Sequence, residues 1–165
     1  MNPQDAWQAP PDSGPTSGGD DIAAACAAAM FGGDRVSRGF GATIEAIAAG
    51  RATVALTVTE AMLNGHDTCH GGVIFTLADT AFSLACNSHN RRAVAQFCSI
   101  QFLRPARRGD RLVAQSLERA LAGRSGVYDT TVRTADGAVI AEFRGHARII
   151  EGKVCPDLPD AHREG

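Results

Sequence analysis

No stretch of this sequence approaches the roughly 20 consecutive apolar residues that a membrane-spanning helix needs, and no basic start followed by an apolar core marks a secretory signal. Nor is positive charge in excess. The net charge is -2 at pH 7, so no overall basic field draws the chain to nucleic acid or to an anionic membrane. Paired cysteines are missing as well: the five Cys (Cys26, Cys69, Cys86, Cys98, Cys155) are odd in number, irregularly spaced and without a Cys-x-x-Cys. That is the pattern of reduced thiols, with Cys86 and Cys98 packed as small hydrophobes. No internal repeat and no helix-turn-helix segment is visible. These absences lead us to expect a cytoplasmic protein with neither nucleic-acid nor membrane partners.

What is present suffices for one packed domain: 165 residues, 44% hydrophobic and 21% charged. Residues 1–19 are rich in Pro, Gly and Ser without hydrophobic period and read as a disordered extension. Residues 20–151 carry the domain, and 152–165, polar and with two Pro, read as a flexible, frayed tail. Asp20 or Asp21 is placed to cap a short helix through the Ala-rich stretch to Met30, ended by Gly32 and Gly33. Thr43, Glu45 and then Arg51 to Val58 alternate with period two, giving two strands around the Ala49-Gly50 turn. A polar loop at 59–70 leads into one long helix from Gly71 to about Ser88. Its apolar positions, from Val73 and Ile74 to Leu84 and Ala85, wrap most of the circumference, so the helix should be buried. Four strands follow, at about 93–104, 111–120, 126–134 and 138–149, with hairpin turns at Ala122-Gly123 and Asp136-Gly137. The order predicts an α+β fold, a long antiparallel β-sheet wrapped around one central buried helix. One helix shields only one face of such a sheet, so association with another copy is expected.

The unusual local sequence is Asn64-Gly65-His66-Asp67-Thr68-Cys69-His70-Gly71-Gly72, which runs straight into the helix bearing Asp79. Two Gly at a helix start leave backbone N–H groups uncovered at the positive end of the dipole, a place for a developing oxyanion. A carboxylate within an apolar helix is expensive unless paired or functional. Gly71 and Asp79 stand eight positions apart, about 12 Å along a helix. A general base must come within about 3 Å of its proton, so one helix does not readily bring both to one carbonyl. Two antiparallel helices from two chains would, which makes the active form at least a dimer. Other readings stand beside these. Asn64 is placed to form an Asx-turn before Gly65. Arg104, Arg107, Arg108 and Arg111 form a solvated basic loop or a phosphate site. His66 and His70 have a zinc-like spacing, but the segment precedes the helix and offers no third clustered ligand, so no metal is expected.

The run Met62-Leu63-Asn64-Gly65-His66, then Cys69-His70-Gly71-Gly72, Phe75, Leu77-Ala78-Asp79-Thr80-Ala81-Phe82 and Ala85-Cys86-Asn87-Ser88, resembles the hotdog-fold thioesterases of the PaaI group. These are acyl-CoA thioesterases associated with phenylacetate degradation. Phe102-Leu103-Arg104-Pro105, Gly109-Asp110, Gly126-Val127-Tyr128-Asp129 and Phe143-Arg144-Gly145 extend the likeness over about residues 21 to 150. It implies a hotdog fold, a homodimer with a continuous sheet and usually a homotetramer. It also implies hydrolysis of acyl-CoA, with an aryl-acyl group such as phenylacetyl or a hydroxylated relative. No cofactor is implied, since CoA is part of the substrate. By the same resemblance, Asp79 is the nucleophile or general base, the Gly71 N–H polarises the thioester carbonyl, Asn64 orients water or the acyl group, and His70 supports the loop. Gly72, Arg104, Arg124 and Ser125 are candidates for holding substrate or CoA. Ser99, on the strand after the helix, is the candidate for a hydroxyl near the carboxylate. The alternatives from other classes are a hotdog dehydratase of 3-hydroxyacyl thioesters, which pairs a His with the carboxylate, and a non-catalytic acyl-CoA binding protein.

Overall fold

The computed structural model describes residues 18–161; the Pro/Gly-rich stretch up to residue 17 and the last four residues lie outside the described residues. Helix α1 (Gly18–Gly33) is followed by a short α2 (Arg35–Gly39), strands β1 (Thr43–Ala48) and β2 (Arg51–Thr57), and a 3-10 turn at Glu60–Met62. Then come α3 (Gly71–Asn87) and strands β3 (Ala93–Phe102), β4 (Arg111–Ala122), β5 (Ser125–Thr134) and β6 (Val139–Ile149). The strands form one antiparallel sheet in the order β1-β2-β4-β5-β6-β3, with α3 across one face. This is the expected α+β arrangement.

The period-two patterns of the strands translate directly into burial. On β5, Gly126, Tyr128, Thr130 and Val132 turn inward, and on β6 Ala141, Phe143, Gly145 and Ala147 do the same. The opposite face is polar: Arg144 makes a two-pronged pair with Asp129, which Arg119 also joins, and Thr131 donates to Glu142. The Arg144 and Arg119 guanidinium groups hold the Asp129 carboxyl below its usual range.

Helix and sheet meet most closely at Gly145. A Cβ there would lie 2.7 Å from two atoms of the Phe82 ring. That ring is fully buried and packs edge-on against Tyr128 at 5.5 Å, with Phe143 tilted beside it at 5.7 Å, so it has nowhere to go. Gly145→Ala is therefore expected to lower folding stability by about 1–3 kcal/mol, read as a lower denaturant midpoint at unchanged slope. A midpoint equal to wild type would show that α3 can lift off the sheet at no cost.

Three local features differ from expectation. Helix α1 starts at Gly18, so Asp20 and Asp21 lie in its first turn rather than capping it, and Asp20 accepts the Ala49 N–H in the β1–β2 turn (3.3 Å). Helix α2 was not foreseen, because five residues are too few to show a period; Asp34 starts it by accepting the N–H groups of Val36 and Ser37. The segment after Gly152 is irregular but clasped over residues 155–159. Buried Asn90, in the left-handed region at φ 61, donates to the carbonyls of Cys155, Leu158 and Pro159 and accepts from the Cys155 N–H. The C-terminal segment was expected to fray, and one side chain accounts for the difference.

Candidate active site

Buried positions surround α3 except along one stripe. Gly71, Gly72, Phe75, Thr76, Asp79 and Ser83 are the positions of α3 that remain at least partly exposed, and their spacing of three and four places them on one face. The stripe begins at the helix start and passes Asp79 two turns later. It is bounded on one side by β3, whose Cys98 and Ile100 pack on the core, and on the other by the α1–α2 turn.

The loop that delivers the helix start is closed by its own hydrogen bonds. Asn64 Oδ1 accepts the N–H of His66 (2.8 Å) and of Thr68 (3.3 Å), and its Nδ2 donates to Thr68 Oγ1. The Asx-turn reading of Asn64 is thus correct, which leaves its amide little freedom. The His70 N–H bonds Met62 O and the Cys69 N–H bonds Ala106 O, pinning the loop to the domain. His70 is the N-cap residue of α3, and its Nδ1 accepts the Gly72 N–H at 2.9 Å. Its carbonyl receives the N–H of Val73 and of Ile74.

Of the four donors that a helix start leaves open, three are therefore taken inside the chain. The fourth, the Gly71 N–H, has no acceptor among the described residues. The sequence suggested that both glycines present donors; the structure keeps Gly71 and withdraws Gly72. Nothing but hydrogen fits comfortably at Gly71, since a Cβ would stand 3.2 Å from the Phe102 ring.

Asp79 is half-buried, and burial raises its carboxyl above the ordinary range, with the Asp34 carboxylate adding to the shift. Its charge in turn pushes up the nearby Cys86 and Cys98 thiols, beyond what burial already does. A partly desolvated carboxylate with a raised pKa is suited to accepting a proton or attacking a carbonyl. Among the described residues no three His, Cys, Asp or Glu are grouped as metal ligands; His66 and His70 are exposed while Cys69 is buried, and His70 Nδ1 already accepts the Gly72 N–H.

The remaining candidates divide. Ser99 does not approach the Asp79 helix: it is exposed and pairs with Arg144 on the outer face of the sheet, while Cys98 and Ile100 take the inner positions. The alternation was legible, but its phase was not, because a bulge between Ala95 and Phe97 resets it. Arg104 donates to Val139 O at the start of β6, whereas Arg124 donates to Ile149 O at its end, so the two guanidiniums are roughly 30 Å apart along the strand. Arg124, with Arg91 and Lys153, lines an open cavity of about 570 Å³, and Ser125 begins β5 beside it. No single chain brings Arg104 and Arg124 to one ligand. Edge strand β3 shows a further feature: Val94, Phe97, Phe102 and Leu103, on it and just beyond, are 47–61% exposed, and among the described residues no strand lies beside its outer backbone.

Residues 66–141, which hold the helix start, Asp79 and β3 to β5, match the family model of the thioesterase superfamily. The acyl-coenzyme A thioesterase PaaI of Escherichia coli (strain K12) is 44% identical over 126 residues, which is 76% of this chain and 90% of that protein. The structure of the E. coli PaaI protein from the phenylacetic acid degradation operon superposes with a TM-score of 0.80 at 42% identity, covering 81% of this chain and 97% of the other. A Streptococcus mutans UA159 protein, whose structure is bound to acetyl CoA, superposes with a TM-score of 0.65 at 27% identity, covering 68% of this chain and 90% of that one. No helix among the described residues is long and apolar enough to cross a membrane.

Proposed function

Since the chain belongs to the thioesterase superfamily, as a hotdog-fold acyl-CoA thioesterase of the PaaI group, we propose that it hydrolyses aryl-acyl-CoA thioesters at a site shared between two copies. The observation that carries this reading is the pairing of one unclaimed helix-start N–H, at Gly71, with a half-buried carboxylate, at Asp79, on the same open stripe of α3. The Gly71 N–H receives the thioester oxygen as it gains negative charge. Asp79 then activates water, which adds to the carbonyl and expels the CoA thiolate, or attacks the carbonyl itself, expelling the thiolate to leave a mixed anhydride that water hydrolyses to free acid and Asp79.

Two copies are needed because the groups sit about 12 Å apart along one helix. The open edge of β3 supplies a means of joining them. Antiparallel pairing of β3 with its counterpart continues the sheet and covers the exposed Val94 and Phe97. It also sets the Ala93 end of one strand beside the Phe102 end of the other. The Arg91–Arg124–Lys153 cavity of the partner thereby comes toward this chain's Gly71, placing cations where CoA phosphates extend from a bound thioester. In this arrangement His70 holds the donor in place through Gly72, and Asn64 shapes the loop, its remaining N–H being the part able to orient water.

The experiment is a panel of aryl and aliphatic acyl-CoA thioesters, with released CoA followed by a thiol reagent and Asp79→Asn run in parallel. Burial pushes the Cys26 and Cys86 thiols to about 12 and Cys69 to about 11, which suppresses their reaction with the reagent, and Asp79→Asn, carrying the same five Cys, supplies the blank for the partly buried Cys98 and Cys155. We expect Asp79-dependent CoA release, fastest for aryl substrates. Absence of release from every substrate sinks the reading, and an enoyl product in place of free thiol would transfer the site to dehydration.

A further inference from the structure

Beside the stripe that carries Asp79 runs a chain of hydrogen bonds that the hydrolytic reading does not use. Asp34, having capped α2 with Oδ1, turns Oδ2 to the Ser37 hydroxyl. Ser37 Oγ lies 2.7 Å from Thr80 Oγ1, and Thr80 Oγ1 is 2.8 Å from Thr76 O, one turn back. Two hydroxyl protons serve these three links: Ser37 donates its proton to the Asp34 carboxylate, and Thr80 divides its proton between Ser37 Oγ and Thr76 O. Ser37 and Thr80 are buried, so water does not substitute for either. The chain grips α3 at the residues immediately beside and one turn before Asp79.

We propose that Asp34 is a positioning residue for thioester hydrolysis, which holds the Asp79 turn of α3 through Ser37 and Thr80 and sets a fixed negative charge beside the reacting carboxylate. This rests on the hydrolytic role of Asp79 proposed above. A five-residue helix with an Asp cap is otherwise a slight element to place against the central helix, and its hydrogen-bond chain runs from that cap to the turn of α3 between Thr76 and Thr80. The titratable groups coupled to Asp79 from the elements around it are Asp34 at the α1–α2 turn, Cys86 on its own helix and Cys98 on β3. Both thiols are pushed upward by burial and by Asp79, so neither supplies a charge there at neutral pH. Asp34 is then the group whose removal changes the field at Asp79.

Asp34→Asn is the informative variant. Asn caps a helix nearly as well as Asp, so α2 is retained while the charge is lost. With the neighbouring charge gone, Asp79 ionises more readily, and the acid limb of the kcat/KM profile is expected to move to lower pH. Thr80→Val, which cuts the grip without touching the charge, is expected to lower kcat by about 10-fold with KM little changed, and Thr80→Ser to restore it. A role confined to stability would lower the midpoint of unfolding but leave the limb of the surviving folded enzyme where it was. Wild-type turnover with an acid limb unmoved in Asp34→Asn overturns the role of Asp34 and leaves the role of Asp79 standing. Full turnover by Asp79→Asn removes the reading on which it rests, and the proposal with it.

Discussion

Asp79→Asn is expected to cut acyl-CoA turnover by at least about 10²–10³-fold while the folded protein becomes no less stable than wild type. The two effects have one cause. Burial and the charge of Asp34 raise the Asp79 carboxyl above its ordinary value, so the folded chain holds that proton more tightly than the unfolded chain does. For a carboxylate shifted in this direction, stability declines as pH rises from the ordinary value through the raised one, and the penalty then persists at neutral pH. Asn keeps the shape and removes the charge, so the penalty disappears together with the proton acceptor. Thermal midpoints from about pH 4 to about pH 8 are expected to fall with pH in wild type relative to the variant. A purely structural Asp79 would give the opposite pair of results: activity largely retained and a midpoint well below wild type, because its hydrogen bonds would have been holding the fold.

Gly71→Pro is expected to lose about 10²–10³-fold in kcat, and Gly71→Ala far less. Proline is tolerated at the first position of a helix, which Gly71 occupies after its N-cap His70. The His70 backbone at φ -60 and ψ 133 already has the extended conformation that a following proline requires. Both substitutions bring a Cβ to 3.2 Å from Phe102, a half-exposed ring that can shift by the few tenths of an ångström needed. They differ in the N–H, so the ratio of their rates measures what that one donor contributes. Equal rates would remove Gly71 from the site. Mixing unfolded Gly71→Pro and Asp79→Asn chains and refolding them together tests the shared site. If each site draws on both copies, mixed dimers carry one intact site, and about a quarter of wild-type activity should return. A site within one chain would return none.

Much of this was legible in the sequence because it follows from short-range rules. The strands were visible in the alternation of Arg51 to Val58 and of the four later segments, the turns in Gly50 and Gly137, and the central helix in its apolar wrapping. Asp79 stood out because a carboxylate in that wrapping has no packing reason to be there. What the sequence concealed depends on contacts between distant residues. The phase of β3 turns on one bulge, which moves Ser99 to the outer face. The choice between Gly71 and Gly72 as donor is made by the rotamer of His70. The grip of Asp34 on Thr80 spans 46 positions, and the clasp of Asn90 on Cys155 spans 65. Neither has a periodic signature.

The donor at Gly71 is a main-chain atom, and this changes how heredity sees it. Every amino acid except proline keeps that N–H, and a glycine codon becomes a proline codon only when two of its bases change. A single base change therefore cannot delete the group proposed to polarise the carbonyl. A single-base missense change there can only attach a side chain, and the first atom of any side chain presses on Phe102. Selection on position 71 thus acts through the aromatic neighbour, whereas a single base change is enough to remove the Asp79 carboxylate outright. The two halves of the proposed chemistry carry unequal mutational risk.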